Sequence, residues 1–167
     1  MSARYSKYYT SYASGYTLIE ILVALTIVGL LFSFGFVNFR DFSRRQQLSG
    51  IVKQIQGDLR LAEEDAITGQ KPSTCGSAKT LESYGFEIIL GTEYKINAYC
   101  SANTKITIKD VLLPPGITIS TSSMNQFVKF KILGQGIDAD SDWVLVITQT
   151  TTGNIANITV TSGGEIK

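Results

Sequence analysis

The chain has 167 residues, with 15 basic and 14 acidic side chains and no histidine. One domain with an appendage fits that length. The lack of histidine excludes Ser-His-Asp and Cys-His catalysis and any His-ligated metal. No region is basic enough to predict nucleic-acid binding from charge alone: residues 1–39 carry only Arg4, Lys7 and Glu20, residues 40–69 balance five bases against five acids, and residues 70–167 balance eight against eight without an arginine.

The opening residues, MSARYSKYYTSYASG, are polar and hold four tyrosines. They are followed by GYTLIEILVALTIVGLLFSFGF, in which Glu20 is the one charge. Ile21 to Phe39 is 19 residues without a charge. As a helix it measures about 28 Å, close to a hydrocarbon core of about 30 Å. Three assignments compete: a buried core helix, a secretory signal peptide cleaved near Ser33-Phe34-Gly35, and a membrane anchor kept in the mature protein. The length argues against the core helix, and the continuation through Phe36-Val37-Asn38-Phe39 argues against the signal peptide. The anchor is preferred. The flanking charges, Arg4 and Lys7 before it and Arg40, Arg44 and Arg45 after it, favour the C-terminal side inside. A disulfide downstream favours that side outside.

Glu20 sits near the head of the apolar run, where an acid costs less than at mid-membrane and suits a helix N-terminus. Were the chain cut between Gly15 and Tyr16, an ammonium would appear at Tyr16, one helical turn from the Glu20 carboxylate. The two charges would neutralise each other within one helix or between neighbouring helices, where the pairing sets register.

The stretch Gly15-Tyr16-Thr17-Leu18-Ile19-Glu20, followed by Ile21-Leu22-Val23-Ala24-Leu25, resembles the prepilin processing motif of type IV pilins and type II secretion pseudopilins. The resemblance implies cleavage after Gly15 by prepilin peptidase, N-methylation of Tyr16, and an assembly role for Glu20, the fifth residue counted from Tyr16. It also implies other pilin or pseudopilin subunits and an inner-membrane assembly platform as partners. Tyr16 stands where phenylalanine is usual, Ser14 where a basic residue is common, and the helix lacks the proline of many major pilins.

Beyond Phe39 the pattern turns amphipathic. Leu48, Ile51, Ile55, Leu59, Ala62 and Ala66 recur at three or four residues, with polar side chains between them. The spacing predicts a helix from Tyr16 to Thr68, ending at Gly69 ahead of Lys71-Pro72. A coiled coil is the alternative for its second half; packing on the chain's own β-domain is preferred.

Residues 72–167 read as strands: YGFEIIL, EYKINAY, KITIK, GITIST, FVKFKIL, WVLVITQ and NITVT. Gly91-Thr92 suggests a hairpin, and Pro114-Pro115-Gly116, Gly134-Gln135-Gly136 and Gly163-Gly164 punctuate the rest. The expected fold is α+β, a long N-terminal helix, half transmembrane and half amphipathic, packed on an antiparallel sheet. The expected segments are a removed leader (1–15), a membrane and filament-core helix (16–39), its amphipathic continuation (40–69) and a β-rich domain (70–167). The succession YGFEI…EYKINAYC…VKFKILGQG…ITVTSGGEI is similar to the globular part of H-type pseudopilins and fimbrial T-type minor pilins.

Cys75 and Cys100 fit one disulfide in an oxidising compartment, with two free buried thiols as the alternative. DADSD, with Asp138, Asp140 and Asp142, alternates like a calcium loop, but Trp143 stands where glycine is required and the terminal Glu is missing. A solvated turn is preferred, with calcium a minor option and no cofactor expected. The tail Gly163-Gly164-Glu165-Ile166-Lys167 has one acid and one base, which counts against DNA uptake. The expectation is a non-enzymatic subunit of a pilus or secretion pseudopilus, held in the inner membrane with a cytoplasmic leader and an exported globular domain. A DNA-uptake or adhesion subunit and a secreted binding domain released by signal peptidase are the alternatives.

Overall fold

The computed structural model describes residues 15–123 and 125–167, with the backbone alone for residues 34–40. The first 14 residues of the expected leader lie outside it. The chain divides into two compact units, Met1–Arg40 and Asp41–Lys167.

Helix α1 is Leu18–Thr68 and crosses that division. It begins two residues later than the periodicity predicts, because Thr17 is its cap rather than its first turn. The Glu20 amide lies 3.3 Å from the Thr17 hydroxyl oxygen, and the Thr17 carbonyl accepts from the Ile21 amide at 3.2 Å. Thr-x-x-Glu is the sequence form of a capping box. The C-terminal end falls where glycine requires it. Gly69 takes φ +63°, its amide bonds to the Ala66 carbonyl, and the Gln70 amide reaches the Asp65 carbonyl. That pair of bonds is a Schellman closure, which a residue with a Cβ enters at a cost.

In the first unit, large apolar side chains from Tyr16 to Phe32 point outward all round the helix, each between 46% and 85% exposed. A helix apolar on every side belongs among other apolar groups. Among the described residues no helix is long and apolar enough to cross a membrane. The last part of the expected span, residues 34–39, falls where side chains are not described.

The second unit is built on the other half of α1. Leu48, Ile55, Leu59, Ala62 and Ala66 are buried, as their spacing predicts, and join one core with the strands. Seven strands follow: β1 (Leu81–Ile89), β2 (Glu93–Cys100), β3 (Thr104–Leu112), β4 (Ile117–Thr121), β5 (Phe127–Lys131), β6 (Trp143–Gln149) and β7 (Ile155–Val160). The fold is α+β, with a long helix and an antiparallel β-domain, as expected, but the strands do not share one sheet. They form two, a four-stranded sheet in the order β3-β2-β1-β5 and a three-stranded sheet in the order β4-β6-β7. All pairs are antiparallel. The physical reason lies in the alternation. Ile117, Ile119, Leu145, Ile147, Ile158 and Val160 bury one face of the small sheet in the core that already takes Tyr84, Phe86, Ile88, Tyr94 and Ile96 from the large one. Two layers bury both faces; one seven-stranded sheet would leave part of this set uncovered.

The expected hairpin forms. The Ile89 carbonyl accepts from the Thr92 amide, with Leu90 and Gly91 at φ +50° and +74° between them. The same turn is stitched to the rest of the domain: the Gly91 carbonyl accepts from Ile119 at 2.8 Å and that of Thr92 from Leu113 at 2.9 Å. Cys75 and Cys100 are joined by a disulfide that fastens the segment after α1 to the end of β2.

Candidate functional site

The candidate site is the N-terminal end of α1. Gly15, Tyr16 and Thr17 precede the helix in non-helical backbone, and all are exposed. A Cβ built on Gly15 meets nothing within 4 Å. Among the described residues, nothing crowds the Gly15–Tyr16 peptide. Tyr16 is 79% exposed and stands just outside the cap.

Glu20 is the third residue of the helix and is exposed. Its carboxylate has no cationic partner among the described residues. Its position suits the positive end of the helix dipole. A cut after Gly15 would add a full positive charge at Tyr16, on the same end and one turn away. The structure thus places Gly15, Tyr16 and Glu20 on one short exposed segment and adds Thr17, to which the sequence reading gives no role. The Thr17-x-x-Glu20 spacing carried that signal. Beyond this segment α1 continues with the exposed apolar surface.

The other sequence candidates lie in the second unit. Asp138, Asp140 and Asp142 of DADSD lie in the bend that precedes β6. Among the described residues no three metal-ligating side chains gather. The Asp142 carboxylate instead accepts from the Ser162 amide at 3.0 Å, and Asp138 stands 4.0 Å from the Lys131 ammonium. Asp138 and Asp142 thus face other segments of the domain.

Two polar networks in the second unit are not apparent from the sequence. On the helix-facing side of the large sheet, the Tyr94 hydroxyl donates to Asp58 at 2.6 Å, Lys109 donates to the other Asp58 oxygen at 2.7 Å, and Gln54 donates to the Tyr94 hydroxyl at 3.3 Å. Burial, then the bond to Asp58, pushes the Tyr94 hydroxyl well above its ordinary pKa of 10.0. On the opposite side, Asn97 is fully buried: it donates to Glu87 at 2.9 Å and accepts from Thr107 at 3.0 Å, and Lys105 pairs with Glu87. These networks link elements to one another; neither contains a nucleophile set against a base.

Residues 10–36 match the family model described as the prokaryotic N-terminal methylation motif. Two proteins of Dichelobacter nodosus, each named "Probable minor fimbrial protein", are 28% identical to this chain over 94 and 98 residues. Each match covers 55% of this chain and 58% of the relative. The chain thus spans less than two thirds of the length of these relatives. No solved structure matches it.

Proposed function

We propose, from the premise that this chain belongs to the type IV pilin family, that it is a minor structural subunit made as a membrane-anchored precursor. Residues 1–15 are the leader, cut by a prepilin peptidase after Gly15, and Tyr16 is then N-methylated. Residues 16–39 hold the precursor in the inner membrane and later lie in the core of a type IV pilus or secretion pseudopilus. Residues 40–69 continue the helix onto the β-rich domain of residues 70–167, which is exported. An assembly platform and other pilin subunits are its partners.

The observation that carries this reading is the pairing of an open Gly15–Tyr16 bond with a helix apolar on all sides. Exposed to water, such a surface forfeits about 1 kcal/mol or more per large side chain. A stretch from Tyr16 to Phe32 with twelve of them needs lipid first and neighbouring helices afterwards. The two environments are apolar alike, so transfer from one to the other carries no large hydrophobic penalty.

Intact-mass analysis of membrane-extracted protein tests it. The expected mass lacks residues 1–15 and carries one added methyl group. A mature start near Phe36 would overturn the reading in favour of signal-peptidase release. Gly15→Val should block the cut. Because a Cβ at Gly15 meets nothing among the described residues, that block would report the fit to the peptidase and not a folding defect.

A further inference from the structure

The face of the large sheet opposite the one that packs into the core carries a groove. Cross-strand register puts Ser83, Gly85 and Glu87 of β1 beside Lys131, Lys129 and Phe127 of β5. On the other flank of β1 come Tyr99 and Asn97 of β2, and Lys105 and Thr107 of β3 lie beyond those. At one end of this face is an open cavity of about 480 Å³, lined in part by Ser83, Tyr99, Lys105, Lys129, Lys131 and Asp138. That size is in the range of small-ligand pockets.

Its construction is specific. Gly85 lacks the Cβ that would stand 2.8 Å from Tyr99 Cε2, so the tyrosine ring lies across the strand. The Lys129 ammonium is then held 4.4 Å from the Tyr99 ring centre and 5.2 Å from that of Phe127. Lys105 is paired with Glu87 and Lys131 lies near Asp138, whereas Lys129 has no carboxylate partner among the described residues. A cation fixed by aromatic rings and left without a counter-charge is poised for an anion.

We infer that this groove binds an acidic saccharide, a short oligomer of carboxylate-bearing sugars, with Lys129 meeting one carboxylate. The surroundings choose this class over nucleic acid. Glu82, which also lines the cavity, joins Glu87 and Asp138 in offering acceptors, for which the phosphates of a nucleic acid bring no donor. Those acids, with Ser83 and Asn103, also lining the cavity, instead suit sugar hydroxyls, which donate as well as accept. The Tyr99 ring already carries Lys129 against it, which disfavours the base stacking that single strands need.

The test uses the full chain in detergent micelles and calorimetric titration with three probes: tetragalacturonate, its methyl ester, and an oligothymidylate of similar length. Tetragalacturonate should bind and its ester should bind at least about tenfold more weakly, the loss of one charge-assisted contact (~1.4 kcal/mol). Lys129→Gln should weaken tetragalacturonate by about tenfold as well. Lys95→Gln, on the same face but paired with Glu93 and Asp110 at the far end, should change it by less than about twofold, which controls for net charge. Unchanged near-ultraviolet circular dichroism in both variants keeps the comparison valid. No heat or saturation with tetragalacturonate, tighter binding of the oligothymidylate, or equal effects of the two substitutions would each overturn the inference.

Discussion

Tyr94→Phe removes one oxygen from the interface between α1 and the large sheet and leaves the ring where it is, stacked on Phe86 with centroids 4.8 Å apart. The lost bond, 2.6 Å to an Asp58 carboxylate that is 7% exposed, is charge-assisted and worth about 1.5–3 kcal/mol. Gln54, released from Tyr94, can turn its amide toward the freed carboxylate oxygen, and Lys109 stays on the other one. The expected net loss is therefore at the low end, about 1.5–2 kcal/mol, or a fall of about 5–9 °C in Tm for a domain of this size. Asp58→Ala should cost more, because it strands the Tyr94 hydroxyl in the core. Trp143 is the reporter: it is the single tryptophan, is buried, and meets Phe86 edge-on at 5.9 Å. The substitution also has a pH signature. Burial and Asp58 raise the folded-state pKa of Tyr94 above its ordinary 10.0. The unfolded chain therefore releases this proton first, and stability that is intact below pH 10 declines as pH rises beyond it, by up to about 1.4 kcal/mol per unit for this group. Tyr94→Phe should flatten that alkaline decline. A variant that melts within about 2 °C of the parent and keeps the same alkaline slope would refute both the energetic role of the bond and its burial.

Glu20→Ala and Glu20→Gln should both leave cleavage after Gly15 intact and abolish recovery in sheared filaments. A buried Tyr16 ammonium without a partner costs about 3–5 kcal/mol; normal incorporation of both variants would reduce Glu20 to a helix-end acid. Cys75→Ser opens a loop spanned by 25 residues of separation and should lower unfolding stability by about 3–4 kcal/mol in denaturant titration. Gly85→Ala sets a Cβ 2.8 Å from Tyr99 and 3.0 Å from the Val128 carbonyl oxygen, so a loss of about 1–3 kcal/mol is expected in thermal melts.

The parts of this molecule legible in its sequence are those fixed by near neighbours. Gly69 ends α1 because the Schellman bonds lie within five residues. The strand β6 alternates Trp143, Leu145 and Ile147 inward, and any register that buries one buries all. Gly15, Tyr16, Thr17 and Glu20 act through a single turn of chain, although the capping role of Thr17 takes the structure to see. What the sequence conceals is pairing at a distance. Asp58 meets Tyr94 across 36 residues and Lys109 across 51, and no local pattern marks any of them as partners. The split into two sheets is hidden for the same reason. β1 finds β5 only after β4 has left for the other sheet, and alternating hydrophobicity reads the same in either. The contact of Asp142 is hidden likewise, since spacing does not show that its carboxylate accepts from the Ser162 amide.

That order of strands sets how the domain is reached. β4 belongs to the small sheet, β5 returns to the large one, and β6 and β7 go back to the small one, so the two sheets are threaded through each other in time. The large sheet is incomplete until Lys131 has emerged, and by then the first strand of the small sheet is already waiting for a mate that begins at Trp143. The hairpin turn at Gly91, bonded to β4 at Ile119, ties the fate of one sheet to the other. Neither can serve as a finished template for its partner. Folding must wait for nearly the whole domain and then proceed as a single cooperative event dominated by distant pairings, a slow class of topology. For a chain whose positions 15–33 include so much uncovered apolar surface, the delay defines an interval in which unpaired strands are present and a chaperone or a holding surface has most to protect.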